Sequence, residues 1–251
     1  MNLVWAIARR ELRGVLHTPV GWLVIMAFLM VSGVFWMAMV DNYVVAAQGQ
    51  VYSPLGGPKL RLTDHLLVPW FGNLVVLLLL VVPAISMRAF AEELRQHTLE
   101  LLRTSPVTTA QVVAGKYLGG LGLASLMLLA TVSQPLLLWW WAPFDPGVLF
   151  AGFLALWLVA AAVLAIGLLA SSFTDSPLVA LILTFAVVIT LWVSGWVDPD
   201  PTSLPSQLSM STHVADLTRG ALHLSDLSYF TLLIGWCLFA THQRVEAYRY
   251  V

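Results

Sequence analysis

Charge is scarce in this sequence, and cysteine is almost absent. Only 10% of its 251 residues are Asp, Glu, Lys or Arg, whereas a soluble domain carries about 25%. Hydrophobic residues make up 59%, and the mean hydropathy is +0.86. That balance excludes an ordinary soluble domain and indicates a polytopic membrane protein. A net charge of −1 gives no basis for nucleic-acid binding. The single Cys237 lies in an apolar run, so neither a disulfide nor a multi-cysteine metal site can form within one chain.

The long apolar runs hold no carboxylate, and so lack the mid-span ionisable groups that mark proton- or sodium-driven carriers. Their polar residues, Asn73, Ser125, Thr131, Ser133, Gln134, Thr184, Thr190 and Ser194, suit helix-to-helix or back-bonded hydrogen bonds. All six histidines fall in loops or at span ends, where they cannot clasp a haem within the membrane. His213, Asp216 and His223 are the one set that would suit a metal, although ordinary loop histidines are the commoner explanation. Neither Gly-x-Ser-x-Gly nor His-Glu-x-x-His occurs. Gly115-Lys116 superficially resembles a phosphate-binding loop, but Ala110 replaces the first Gly and Tyr117 the magnesium-binding hydroxyl. The chain thus offers no catalytic residue, no ATPase motif and no cofactor or metal site of its own, and any work it does needs energy from a partner.

What the sequence does have is six apolar runs, at about 20–40, 66–86, 117–141, 148–172, 177–197 and 227–241. Each but the last reaches the ~20 residues that a bilayer requires. The last is expected to extend through Asp226 and Gln243, with polar side chains reaching outward. The first run begins too late and is too long for a cleaved signal peptide, and reads as a retained span. The expected fold is a single all-α polytopic membrane domain over 1–251.

Two amphipathic stretches interrupt the apolar pattern. Within 1–19, Leu3, Val4, Ile7, Ala8, Leu12 and Val15 share one arc of a helical wheel, and Arg9, Arg10, Arg13 and His17 share the other. This helix is expected to lie flat among lipid headgroups until Pro19 ends it. Glu11 falls in the apolar arc; it reads as an exposed residue at the helix edge or, less commonly, as one half of an interface ion pair. Between spans 2 and 3, residues 87–116 form a charged island. There Met87, Phe90, Ala91, Leu94, Thr98, Leu101 and Leu102 recur at helical spacing, opposite Glu92, Glu93, Arg95, Gln96, Glu100 and Arg103. Glu92 is spaced to pair with Arg95, and Glu100 with Arg103. Ser105-Pro106 stops the helix, and Thr108-x-x-Gln111 is a capping box that starts the next.

Nine of the twelve Lys and Arg residues fall on one side of this plan, together with both termini; Lys59, Arg61 and Arg219 fall on the other. The positive-inside rule therefore puts the termini and the island in the cytoplasm. Trp36, Trp70, Trp139, Trp140, Trp141, Trp192 and Trp196 then form an outer aromatic belt. Two outer loops are long: Asp41 to His65, expected to be irregular, and 198–226, in which Val214, Leu217, Ala221 and Leu222 suggest a short helix.

Residues 83–119, PAISMRAFAEELRQHTLELLRTSPVTTAQVVAGKYLG, resemble the loop between the second and third spans of ABC-2 type permease subunits. The likeness rests on Arg88, Glu92, Glu93, Thr98, Glu100, Leu101, Leu102, Pro106, Gly115 and Lys116, with His97 standing where Gly is usual. ARRELRGVLHTPVGWLV near the start resembles the family's elbow helix, carrying Arg9, Arg10, Glu11 and Arg13, and residues 218–230 resemble the approach to its last span. Among such permeases the likeness is greatest to the gliding-motility type (Gld-like). The resemblance implies that 87–116 is a coupling helix that docks on an ATPase through Arg88, Glu92, Glu93, Arg95, Thr98, Glu100, Leu101, Leu102, Arg103 and Pro106. It also implies two separate ATPase subunits that bind ATP and magnesium, a second permease copy or homologous subunit, and a bacterial cytoplasmic (inner) membrane location. Export of an unknown substrate is the expected function. The alternatives are a non-transporting anchor that passes ATP-driven movement to an extracytoplasmic partner, for which the 198–226 loop offers a surface, and an ion-coupled carrier that works without any ATPase.

Overall fold

The computed structural model of the chain describes residues 3–51, 61–96, 107–140, 144–197 and 203–250. It is all-α, with no strand among the described residues. Helix α1 (Leu3–Leu16) is followed by α2 (Pro19–Val51). A π-helical turn, Thr63–Leu67, leads into α3 (Val68–Ser86), and the short α4 (Ala91–Arg95) comes next. Then follow α5 (Thr109–Thr131), α6 (Ser133–Trp139), α7 (Pro146–Ser171) and α8 (Pro177–Val197). Two short helices, α9 (Leu204–Leu208) and α10 (Met210–Thr218), precede the final α11 (Leu224–Tyr250).

Six helical stretches are long and apolar enough to cross a membrane: Pro19–Gly49, Thr63–Arg95, Thr109–Trp139, Pro146–Ser171, Pro177–Trp196 and Leu224–Tyr248. The expected six spans are all present, and several boundaries move. The first span does not give way to an irregular loop at Asp41 but stays helical to Val51. Nothing from Asp41 to Val51 forbids a helix, and at 1.5 Å per residue its 33 residues reach about 50 Å, well beyond the ~30 Å hydrocarbon core. The third span starts at Thr109 instead of 117. The capping box begins it: Thr108 accepts from the Gln111 amide, and the Gln111 side chain accepts from the Thr108 amide. Pro135 has no amide hydrogen for a helical bond, and the helix is interrupted at Val132, between α5 and α6.

Helix α7 is the centre of the bundle. In its apolar window 78% of residues are buried, against 17% in the fifth span and 22% in the first and sixth. It packs on α3, α5, α8, α10 and α11, and its run of Ala160, Ala161, Ala162 and Ala165 lets neighbouring backbones come close. Trp70 belongs to this core and not to an interfacial belt: it is fully buried, with Trp36, Phe71 and Phe153 within 4.9, 5.3 and 6.0 Å between ring centroids. The second span starts at Thr63, three residues before its apolar run. Trp140 and Trp196 remain exposed at helix ends, as anchors should be.

Most mid-span polar residues satisfy themselves locally. The hydroxyls of Ser125, Thr131, Ser133, Thr184, Thr190 and Ser194 donate to carbonyls three or four residues back. Gln134 instead donates to Ser32 across the first and third spans at 2.7 Å.

Candidate functional site at the charged end of the bundle

Helix α1 does not rest on a lipid surface alone: it lies along the first half of α5. Small residues make this possible. A Cβ on Gly115 would stand 2.7 Å from the Ile7 side chain, and one on Gly119 2.7 Å from Glu11 Cβ and 3.1 Å from the Ala8 carbonyl. The Gly115-x-x-x-Gly119 stripe is therefore the groove that seats α1. Ala8 is buried in the contact, while Arg9, Arg10 and Arg13 face outward.

The close approach brings together three charges from three elements. Lys116, on the second turn of α5, is only 7% exposed. Its ammonium lies 2.7 Å from Glu93 of α4 and 3.4 Å from Glu11 of α1, and 5.3 Å from the centre of the buried Phe90 ring. A buried ammonium is costly unless paired, and here two carboxylates and an aromatic face compensate it. Glu11 thus takes the ion pair, which also reaches Arg10 at 3.5 Å, and not the exposed edge position expected of it. Lys116 likewise does not close a surface segment ahead of the third span. It sits inside that span's helix, because the capping box starts the helix seven residues earlier than Lys116.

The remaining island residues fall partly within the described structure. Arg88 is exposed in the turn after α3, and Glu92 binds Arg95 at 3.0 Å and Gln96 at 2.9 Å. Phe90 and Ala91 are fully buried, as the apolar arc requires. The helix described there is five residues, Ala91–Arg95, and shorter than the pattern implies. Thr98, Glu100, Leu101, Leu102, Arg103 and Pro106 lie outside the described residues, as do His97 and the Glu100 to Arg103 pairing. A cavity of about 300 Å³ opens beside the ion bridge. Its lining combines the charged Glu11, Arg88, Glu92, Glu93 and Lys116 with Leu123, Leu164 and Leu168.

Helix α11 closes the same end. Thr109, at the first turn of α5, donates to Glu246, placing a carboxylate by the helix N-terminus, where the dipole favours it. Arg244 lies 5.1 Å from the Phe173 ring and 4.9 Å from that of Tyr248.

At the opposite end, His213, Asp216 and His223 do not converge. No cluster of three metal-ligating side chains exists among the described residues. His213 instead bonds Asp226, its Nδ1 2.7 Å from Oδ1. Asp226 is 3% exposed and does not reach outward to solvent. The pairing follows from the Schellman turn that ends α10, where Gly220 adopts φ +91° and the Ala221 amide donates to the Asp216 carbonyl. That turn reverses the chain and sets the start of α11 beside His213.

Sequence reasoning singled out Glu11 but not its partner, and it did not find the His213 to Asp226 pair. The signal available for Lys116 was its place inside a Gly-x-x-x-Gly stripe directly after a capping box.

A comparison with curated proteins finds no match. Residues 50–210, more than half of the chain, match the model of the ABC-2 family transporter proteins, and the chain therefore belongs to that family as a membrane permease subunit that works with an ABC ATPase.

Proposed function

We propose that the chain is one half of the membrane domain of a bacterial ABC exporter, closest to the gliding-motility type. A second copy or a homologous permease forms the other half, and two ATPase subunits bind ATP and magnesium. The protein lies in the cytoplasmic membrane with both termini inside, and the 87–106 segment docks on the ATPase. The outward arginines of α1, with the exposed Trp5, face lipid headgroups.

The observation that carries this reading is the Lys116 bridge. Any force on the docked segment enters at α4, which holds Glu93. Lys116 belongs to the third span and Glu11 to α1, so the bridge ties the three into one body. Closure of the ATPase pair upon ATP binding then moves the third span and α1 with the docked segment. The nearby Thr109 to Glu246 bond extends the same body to the sixth span.

The test is a reversal of charge at Glu92, Glu93 and Glu100 together, made in the reconstituted complex. Membrane insertion should be retained, while the permease no longer stimulates its ATPase. Stimulation equal to that of the unaltered complex overturns the docking assignment.

A further inference from the structure

We propose that the pair formed by His213 and Asp226 is a proton-binding site that latches α9 and α10 to the start of the sixth span. Both ring nitrogens of His213 face acceptors: Nδ1 is 2.7 Å from the Asp226 carboxylate, and Nε2 is 3.1 Å from the Gln207 carbonyl. A carbonyl cannot donate, so Nε2 must carry a hydrogen. A second proton must then lie between Nδ1 and Oδ1. Whether it rests on nitrogen or on oxygen, the pair holds one proton more than a neutral imidazole beside an ionised carboxylate, and its net charge is zero.

Asp226 Oδ2 is buried without a hydrogen-bond partner, and an ionised carboxylate so placed is costly. Helices α3, α7 and α8, which pack against α10, carry no titratable residue, and neither does α9. From α11 Asp226 bonds the ring and Tyr229 stacks on it at 4.3 Å between centroids. Asp216, on α10 itself, is the other nearby acid. The His213 side chain is 16% exposed, which gives a proton a path to it.

The site joins three elements. Gln207 belongs to α9, His213 to α10 and Asp226 to α11, and the Tyr229 hydroxyl adds a 2.7 Å bond to the Leu208 carbonyl. When the proton leaves, either neutral tautomer turns one lone pair on an oxygen and loses one of the two contacts. The latch is therefore complete at low pH and is lost as pH rises. The orientation proposed above decides only the side from which the proton arrives, which is the extracytoplasmic one.

Hydrogen exchange of residues 204–218, measured on the full chain in nanodiscs from about pH 5 to about pH 9 and corrected for intrinsic rates, tests the site. Protection should fall roughly tenfold as pH rises, the order that one buried hydrogen bond sets. Asp226→Asn should remove this dependence and keep protection high throughout. An Asn amide can donate to Nδ1 while the neutral ring still donates to Gln207, so no extra proton is needed. His213→Gln should also flatten the profile, since its amide donates to Asp226 at every pH. Protection of the unaltered chain that does not vary with pH, or a variant that keeps the unaltered profile, overturns the proposal. In sealed proteoliposomes of known orientation, a response to the cytoplasmic-side pH alone overturns the proposed orientation and leaves the proton site standing.

Discussion

Lys116 and its two carboxylates are unequally placed, and that inequality is measurable. The lysine side chain is 6% exposed, whereas those of Glu11 and Glu93 are 34% and 29% exposed. Replacing the lysine with Met fills nearly the same volume and leaves two carboxylates that water can reach, so stability should change by less than about 1.5 kcal/mol. Replacing both carboxylates, Glu11→Gln with Glu93→Gln, strands a buried ammonium and should cost about 3–5 kcal/mol. Thermal unfolding in detergent separates the two. Lys116→Met should nonetheless uncouple ATP hydrolysis from transport, because no charge then links α1, α4 and α5. The sequence made half of this bridge legible: a carboxylate on the apolar arc of α1 had to find a partner or be exposed. It could not name a residue 105 positions away, since that proximity is set by helix packing and not by local pattern.

At the scale of elements, a cap was easier to read than the end of an apolar run. Caps are local hydrogen bonds, so Thr108 and Gln111 declared the start of α5 in advance. Where span 1 stops depends on whether the chain leaves the bilayer still helical, and hydropathy does not record that. Lateral packing was hidden for a different reason: glycines at 115 and 119 look like poor helix formers until a partner helix is laid upon them. Their role predicts a sharp asymmetry. Gly119→Ala brings its Cβ against backbone and side chain of α1, and should cost about 1–3 kcal/mol while weakening the Glu11 to Lys116 contact. Gly122→Ala meets only Leu12, at 3.7 Å, and should stay within about 0.5 kcal/mol. Parallel melting curves of the two variants, with cross-linking between α1 and α5, check both halves.

For the whole molecule, the decisive quantity is the asymmetry of charge between its two ends. Nine basic residues fall with the termini and three with the opposite loops, and the positive-inside rule expects the termini to face the cytoplasm. The two ends also differ in their buried polar groups: one holds Lys116 between two carboxylates, the other Asp226 against His213. The orientation is open to direct measurement because Cys237 is 2% exposed within the sixth span and should be inert to a polar maleimide. A cysteine placed at His223, before the final helix, should be labelled by an impermeant reagent added outside intact cells. One placed at Asp175, between the fourth and fifth spans, should be labelled only after the membrane is opened. Labelling in the reverse sense would exchange the two faces, move the charged island away from any cytoplasmic ATPase, and leave the Lys116 bridge without an input.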